Sequence, residues 1–336
     1  MTTVRTSCVA ALCGAPLVAV AEPAMSYLHT YGPAGDPATL LGWGLGIISI
    51  IVVLVIAVLL LAAVFRRRAK AADPGALAVR SDEGGMSWLY VGVGVSTVVL
   101  VGCAVWTMFT VAAVAMPAHT DLTLRVTAAQ WWWSVRYESN EPDRVFTTAN
   151  EIHIPVGRAI RIELSSQDVI HSFWIPHLGG KMDVIPGQTN VTWLQADQPG
   201  TYRGQCGEYC GAQHAHMAMY VIADTPQDYA TWVRDQLRDA AMPTSEFVRN
   251  GEQAFAAHCA VCHAVRGTEA GGILGPDLTH LMSRSTIAAG LLPNTPGNLA
   301  AWIADSQALK PGSRMPALAL SGRDLSSIVT YLQTLH

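Results

Sequence analysis

The sequence is poor in charged side chains. Only 14% of its 336 residues are Asp, Glu, Lys or Arg, whereas a soluble domain typically carries about 25%. Hydrophobic residues make up 51%, and the mean hydropathy is +0.29. These values exclude a disordered chain and a chain that is soluble throughout. The net charge of −4 gives no reason to expect nucleic acid as a partner.

Cysteines are also few, and none is left over for a disulfide. Of the seven, Cys8 and Cys13 lie near the start of the chain and Cys103 lies inside an apolar run. The other four form two tight motifs, 206–210 and 259–262. A disulfide framework is therefore excluded, and metal or cofactor chemistry is the better explanation of these motifs.

Two long runs carry no charge, Leu40–Phe65 and Met86–Thr120. About 20 apolar residues cross the ~30 Å hydrocarbon layer of a membrane. We therefore predict a transmembrane hairpin within residues 22–120, with spans at about 40–65 and 90–115.

Basic residues between the two runs predict the orientation of the hairpin. The loop between the spans carries Arg66–Arg68, Lys70 and Arg80. The positive-inside bias makes this loop cytoplasmic and places residues 121–336 outside. Residues 1–21, ending in Ala19-Val20-Ala21, are typical of a secretory signal. An uncleaved leader and lipidation at Cys13 remain open alternatives.

The hydrophobic pattern after residue 120 changes once, from strand-like alternation to helical spacing. Short alternating runs without a long amphipathic helix occupy residues 121–222 and predict an all-β sandwich or barrel. The predicted strands begin within 121–137 and continue at 144–148, 151–155, 159–164, 191–194 and 217–222. No internal repeat or low-complexity stretch is present.

Helical patterns follow the β region. Thr225-Pro226 is a good helix start, so the first domain is expected to cover 121–239. Residues 240–246 are predicted to be a linker, and 247–336 an all-α domain. Its predicted helices cover 247–264, 299–305 and 324–335.

The first cysteine motif runs from Cys206 to Met217 and places two thiols, imidazoles and a thioether within 12 residues. These soft and borderline ligands suit copper, and the thioether disfavours zinc. Two cysteines with three residues between them can bridge two coppers, and each copper then needs its own histidine. His214 is favoured over His216 within the motif, because His216 adjoins Met217.

The second histidine must come from elsewhere in the β domain. His171 is the best candidate, because it closely follows a predicted strand. His177, which follows Pro176 in a separate turn, is the competitor. A disulfide between Cys206 and Cys210 would leave the histidine and methionine unexplained.

The second motif, Cys259-Ala-Val-Cys262-His263, is the attachment signature of a c-type haem. Cys259 and Cys262 are expected to bond the haem covalently on one helical turn, and His263 to be an axial ligand of the iron. Met315 offers a thioether for the other axial position, which raises the haem potential. His280 is the nearby alternative, and Met282 lies too close to the Gly275-Pro276 loop.

Residues 121–222 resemble subunit 2 of the haem–copper cytochrome c oxidases. The likeness rests on Ser165–His171, Lys181–Gly187 and Cys206–Met217, and the two spans agree with it. It implies a cupredoxin-like β-barrel that holds a dinuclear copper A centre. The implied ligands are His171, Cys206, the Glu208 carbonyl, Cys210, His214 and Met217.

Two further roles follow from the resemblance alone. The Glu208 carboxylate is implied to bind a magnesium ion at the border with subunit 1. The first tryptophan of the run Trp131–Trp133 is implied to be the surface point where electrons enter, which assigns this role to Trp131. Trp132 or Trp133 in that role, or a purely structural role, are the alternatives.

Residues 247–336 resemble a class I cytochrome c, and the whole chain resembles the fused, caa-type members of the oxidase family. The resemblance implies that electrons pass from an external donor to haem c, to copper A, and to haem a of subunit 1, where oxygen is reduced to water. A tether would hold the haem near the copper at high effective concentration.

The implied partners are subunit 1 with haem a and copper B, subunit 3, an upstream cytochrome c or cytochrome bc complex, and membrane lipid. The implied location is the bacterial plasma membrane, with the C-terminal domains on the extracytoplasmic side. A copper and haem electron-transfer protein without an oxidase partner is the main alternative. A quinol oxidase subunit would lack the copper ligands, and a nitrous oxide reductase-like protein would need a larger second domain.

Overall fold

The computed structural model describes residues 23–65, 85–115, 117, 119–120 and 122–336. The predicted signal at 1–21, with Cys8 and Cys13, lies outside the described residues. So do the basic residues Arg66–Arg68, Lys70 and Arg80 of the loop between the spans.

Two long helices form a hairpin, α1 (Asp36–Phe65) and α2 (Gly85–Ala113). At ~1.5 Å per residue, each is longer than the ~30 Å thickness of a hydrocarbon layer. In the part of the chain that the structure describes, two helices are long and apolar enough to cross a membrane. Their apolar side chains are largely exposed, as expected of surfaces that face lipid or another membrane subunit.

The β domain consists of ten strands in two main sheets and a hairpin. The five-stranded sheet has the order β3-β2-β1-β5-β8, the three-stranded sheet the order β4-β10-β9, and β6 pairs with β7. The strands are β1 (Leu122–Ala129), β2 (Trp132–Tyr137), β3 (Phe146–Ala149), β4 (Glu151–Pro155), β5 (Ile160–Ser166), β6 (His171–Phe173), β7 (Met182–Val184), β8 (Asn190–Leu194), β9 (Gly200–Gln205) and β10 (Ala218–Asp224).

Alternation along the strands builds the core of this domain. In β5, Ile160, Ile162 and Leu164 are fully buried, while Arg161 and Glu163 between them form an ion pair on the other face. The all-β prediction is therefore confirmed. The pattern missed β6, β7 and β9, because the first two have only three residues and β9 has the small Gly204 at an inward position.

Helix α3 (Pro226–Gln236) closes the β domain. Thr225 caps it as predicted, because its hydroxyl accepts from the Asp228 amide at 3.3 Å. Trp232 of this helix packs against Tyr137 and Phe146, with ring centroids 5.2 and 5.5 Å away. Helix α3 therefore belongs to the β domain.

The C-terminal domain is helical, as predicted. It contains α4 (Glu246–His258), α5 (Pro296–Ala304), α6 (Ser306–Leu309) and α7 (Gly322–Leu332), and a small hairpin of β11 (Thr286–Ile287) and β12 (Leu292–Pro293). Helices α4 and α7 cross at Gly251, where a Cβ would lie 2.1 Å from the Ser327 carbonyl oxygen. Only glycine allows this close crossing.

The helix predicted over 247–264 ends early, at His258. Residues 259–263 form a tight turn in which the amides of Cys262 and His263 both donate to the Cys259 carbonyl, each at 3.0 Å. The Cys262 carbonyl accepts instead from the Gly275 amide at 2.8 Å. A loop from further along the chain thus helps to hold this turn.

Candidate metal centres

The loop between β9 and β10 contains the first cysteine motif and is folded back on itself. Cys206 follows β9 directly, and its amide donates to the Met217 carbonyl at 3.0 Å. The Cys206 and Cys210 thiols are buried and lie 3.8 Å apart, so they are neighbours without a disulfide. The β scaffold thus presents two free sulfur atoms side by side.

His171 joins these thiols from β6, 35 residues earlier. Its side chain is fully buried, and Nδ1 lies 3.9 Å from Cys206 Sγ. Its other nitrogen, Nε2, lies 2.8 Å from a carboxylate oxygen of Asp168. A carboxylate at the far ring nitrogen fixes the ring and increases its basicity, as is common for metal-binding histidines.

Three further donor atoms of the loop face the thiols. His214 Nδ1 and Met217 Sδ lie 3.5 and 3.8 Å from Cys210 Sγ. The Glu208 carbonyl oxygen lies 3.2 Å from Cys206 Sγ. Each sulfur thus has one histidine and one weaker donor beside it.

These separations fit a copper site. Two donors on one metal with bonds of ~2.0–2.3 Å across a tetrahedral angle lie roughly 3.3–3.8 Å apart. The ligand atoms of His171, Cys206 and Cys210 all lie within 4.8 Å of one another. Thiolate, imidazole and thioether together match the preference of copper. The residues present therefore fit a copper centre, which His171, His214, Met217, the two cysteines and the Glu208 carbonyl would hold.

The environment of the two thiols favours one thiolate, which attracts a metal cation. The hydrogen bond from the Cys210 thiol lowers the pKa of Cys206 to about 4. Burial opposes this shift, and the hydrogen bond with the His171 ring adds to it. The same hydrogen bond raises the pKa of the Cys210 thiol. The metal-free pair therefore holds one thiolate at neutral pH, and metal binding displaces the second proton.

The alternative histidines lie outside this cluster. His177 packs instead against Tyr31 and Tyr202, with ring centroids 5.4 and 6.3 Å away. His216 Nδ1 lies 2.7 Å from the Gln213 side-chain oxygen. The geometry thus brings His171 and His214, and not these two, to the thiols.

The Glu208 carboxylate points away from the thiols and forms an ion pair with Lys181. Lys181 also lies 3.6 Å from Asp183. In the described structure this carboxylate is therefore matched by a lysine, and nothing in this arrangement supports the expected magnesium ion.

Trp131 contacts the motif directly but is not an open surface residue. Its indole Nε1 donates to the Cys210 carbonyl at 3.0 Å. The side chain is only 8% exposed, because residues of the helical domain cover it. A Cβ built on Gly312 would lie 3.7 Å from the ring. Trp133 is fully buried and contacts the His171 ring edge-on, at 6.1 Å between centroids.

The second motif forms the turn after α4. The His263 Nδ1 lies 2.8 Å from the Pro276 carbonyl, which leaves Nε2 as the free ring nitrogen. Burial lowers the pKa of His263, so the ring is neutral, as an iron ligand must be. Burial also raises the pKa of the Cys259 thiol to about 11.

The backbone at Gly275 lies so close to the His263 ring that no side chain fits between them. A Cβ on Gly275 would lie 2.7 Å from His263 Cε1. Glycine at this position lets the loop pack flat against the ring and hold its orientation.

Met315 belongs to the same hydrophobic cluster as Cys259. Its loop is held by Ser306 Oγ and Gln307 Nε2, which donate to the Met315 carbonyl at 2.7 and 2.6 Å. His280, the alternative, contacts the carbonyls of His336 and Arg238 at 2.7 and 3.0 Å through its two ring nitrogens. Of the two candidates, Met315 is the one with a free donor, and the set of thiols, imidazole and thioether fits a covalently held haem.

Sequence reasoning missed four residues near these centres: Asp168, Glu151, Lys310 and Arg314. Asp168 holds His171, and the other three connect the two domains. The only sequence signal for Asp168 is its spacing three residues before His171. No local pattern marks the rest, because their partners are distant in the sequence.

Two family matches cover the exported region. Residues 122–224 match the family described as cytochrome C oxidase subunit II, periplasmic domain. Residues 248–336 match the cytochrome c family. These matches confirm the cupredoxin-like domain of the oxidase subunit and the fused cytochrome c domain that the sequence predicted.

Curated relatives carry the same subunit name. Cytochrome c oxidase subunit 2 of Alkalihalophilus pseudofirmus is 42% identical over 214 residues, which are 63% of this chain and 60% of that protein. The subunit of Bacillus sp. strain PS3 is 32% identical over 228 residues, 64% of this chain and 62% of that protein. The chain thus spans little more than 60% of the length of these relatives.

Among solved structures, the periplasmic domain of subunit II of cytochrome oxidase of Bradyrhizobium japonicum is similar to part of this chain. It is 34% identical, and the match covers 36% of this chain and 96% of that domain, with a TM-score of 0.34.

Proposed function

Because residues 122–224 belong to the cytochrome c oxidase subunit II family and residues 248–336 to the cytochrome c family, we propose that this chain is the electron-receiving subunit of a haem–copper oxidase. The proposed ligands of copper A are His171, Cys206, the Glu208 carbonyl, Cys210, His214 and Met217. The proposed ligands of haem c are Cys259, Cys262, His263 and Met315. When bound, these groups supply one-electron carriers that connect an external donor, through haem c and then copper A, to haem a of subunit 1.

The chain's own residues hold this arrangement rigid. Strands β9 and β10 pair within the three-stranded sheet and β6 pairs with β7, and these strands together set the separation between His171 and the two thiols. Asp168 holds the His171 ring, and the Pro276 carbonyl holds the His263 ring. Rigid ligands change little when an electron arrives, which makes electron transfer fast at low driving force.

The observation that carries the proposal is the contact between Trp131 and Cys210. The indole hydrogen bond to the Cys210 carbonyl connects the tryptophan to a proposed copper ligand. The opposite side of the indole lies under the helical domain at Gly312, three residues before Met315. Trp131 thus contacts both domains, through the Cys210 carbonyl in the β domain and Gly312 in the helical domain.

The two apolar helices would hold the chain in the bacterial plasma membrane. Both domains would then lie on the extracytoplasmic side, as the periplasmic family description suggests. The exposed apolar faces of α1 and α2 are suited to contacts with subunit 1, subunit 3 and lipid. The external donor would be a cytochrome c or a cytochrome bc complex.

The test uses the full chain purified from membranes in detergent. We expect two coppers and one covalent haem per chain, together with a co-purifying haem a protein. A chain that isolates alone, with both centres loaded, would instead support an electron-transfer protein without an oxidase partner.

The role of Trp131 is tested by Trp131→Phe, with Trp132→Phe as the matched control. The first variant loses the hydrogen bond to the Cys210 carbonyl, so electron transfer from haem to copper should slow by about tenfold or more, with unchanged metal content. Equal slowing in both variants would contradict the assignment.

A further inference from the structure

Lys310 of the helical domain is buried where this domain contacts the β domain. Its side chain is 3% exposed, and its three partners are backbone carbonyl oxygens. Nζ donates to Trp131 at 2.9 Å and to His216 at 2.7 Å, both in the β domain, and to Ala288 at 2.9 Å in its own domain. Burial lowers the pKa of Lys310 to about 7. The three carbonyl acceptors match the three N–H donors of the ammonium form, which needs such hydrogen bonds because leaving water is costly.

Glu151 makes the opposite insertion. This residue of β4 is 3% exposed, and its carboxylate lies in the helical domain. One oxygen accepts from the Ser285 amide at 2.7 Å, the Ser285 hydroxyl at 2.5 Å and the Thr286 amide at 3.3 Å. Each domain thus places one charged side chain against polar groups of the other: two backbone carbonyls accept from Lys310, and Ser285 and Thr286 donate to Glu151.

Further contacts surround these two insertions. The Gln213 side chain donates to the Pro311 carbonyl at 2.9 Å, and the Ala218 amide donates to the Ala289 carbonyl at 3.1 Å. Gly312 lies against the Trp131 ring. The covered surface is therefore the outer side of the copper loop and of Trp131.

Two buried charges restrict the docking geometry. An apolar contact tolerates small rotations, whereas a buried ammonium or carboxylate loses its hydrogen bonds when the domains shift. A flexible tether would need only proximity and would not bury charges. The arrangement is therefore that of one fixed orientation.

We propose that Lys310 and Glu151 are positioning residues, which fix the haem-binding domain over Trp131 so that Trp131 receives electrons only from this chain's own haem. The proposal rests on the proposed function and adds to it the fixed interface. With both groups bound, the haem held by Cys259, Cys262, His263 and Met315 would give up one electron for each electron that the copper centre gains, and no bond would be made or broken. An external donor then has to deliver its electrons to the helical domain, because the Trp131 surface is already occupied.

The test compares Lys310→Met, Glu151→Gln and the control Arg323→Met in the full chain within its purified oxidase. Arg323 is an exposed cation at the start of α7, away from the interface. The first readout is amide hydrogen exchange by mass spectrometry over 130–133, 213–218, 285–290 and 310–314. Both interface variants should increase exchange at these segments by about tenfold or more, while β5 and α7 stay protected.

The second readout is the rate of haem-to-copper electron transfer after photoreduction. In both interface variants it should fall about tenfold and become dependent on ionic strength, since docking then limits the rate. The control should match the unmodified chain in both readouts. If Lys310→Met does not fold, Glu151→Gln decides alone.

Unchanged exchange, or unchanged transfer despite increased exchange, would overturn the proposal. Either result with copper, haem and the partner subunits still present would leave the proposed function standing. Loss of the copper or of the oxidase partner from the unmodified chain would instead refute the proposed function.

Discussion

The guanidinium group of Arg314 lies 3.2 Å from the carboxylate of Asp168. The other oxygen of that carboxylate lies 2.8 Å from His171 Nε2. Arg314 directly precedes Met315, so one carboxylate connects a proposed copper ligand with the neighbour of a proposed haem ligand. Burial raises the pKa of Asp168. The hydrogen bond with His171 and those from the Gln130 and Val169 amides together outweigh burial, so the pKa is lowered.

Asp168→Asn should weaken copper binding by about 10- to 100-fold, because the His171 ring loses its anionic partner. The change keeps the size of the side chain, so the fold should be retained. Copper affinity and the copper electron paramagnetic resonance (EPR) spectrum measure the effect, with the haem α-band as an internal reference. Arg314→Gln is the matched control and should have little effect, because Arg314 is 61% exposed. Equal copper loss in both variants would contradict this reasoning.

Met217→Leu and Met315→Leu should each affect a different centre. The first removes the thioether beside Cys210 and should change the copper EPR spectrum without shifting the haem α-band. The second should lower the haem potential, because methionine ligation raises it, and leave the copper signal intact. A haem shift in Met217→Leu would show that the ligands are assigned to the wrong centres.

The metal-free copper loop should contain one thiolate at neutral pH. The pKa of Cys206 is lowered to about 4, so this thiolate should persist as the pH falls from 8 and disappear near pH 4. An ordinary thiol, with a pKa of about 8.5, would already be protonated at pH 7. Thiolate absorbance near 240 nm during acid titration measures this, and Cys206→Ser should abolish the acidic transition. A single transition near pH 8.5 would refute the shared proton between the two thiols.

Glu208→Gln should leave copper binding unchanged. The carbonyl of Glu208, not its carboxylate, faces Cys206 Sγ, and the substitution preserves that carbonyl. The lost ion pair with Lys181 is solvent-exposed and should affect the melting temperature little. Copper content and the copper EPR spectrum are the measurements. Loss of copper would mean that the carboxylate itself reaches the metals.

The fold class could be read from the sequence because it depends on local patterns. The uncharged runs predicted α1 and α2, the alternation in β5 predicted a half-buried strand, and Thr225-Pro226 predicted the start of α3. Prediction was poorer where the chain responds to distant residues. The helix predicted over 247–264 ends at His258, and the turn that follows is held in part by the distant Gly275, whose amide donates to the Cys262 carbonyl.

The proposed ligands show the same division. The short spacing within 206–217 and 259–263 predicted that the donors of each motif lie close together, because a turn keeps residues a few positions apart near one another. Asp168 was overlooked although it lies near His171 in the sequence, because a carboxylate three residues before a histidine has no special meaning until β6 places it. The implied surface role of Trp131 did not anticipate the cover that residues 310–312 provide.

The sequence by itself determined the two membrane helices, the β and helical domains, and the chemistry of the two cysteine motifs, because these follow from composition, periodicity and short spacing. Only the tertiary structure decided that His171 and not His177 meets the thiols, and that Lys310 and Glu151 cross between the domains. Lys310 and Trp131 are 179 positions apart. Contacts over such separations depend on how complete domains pack, and no local pattern records that packing.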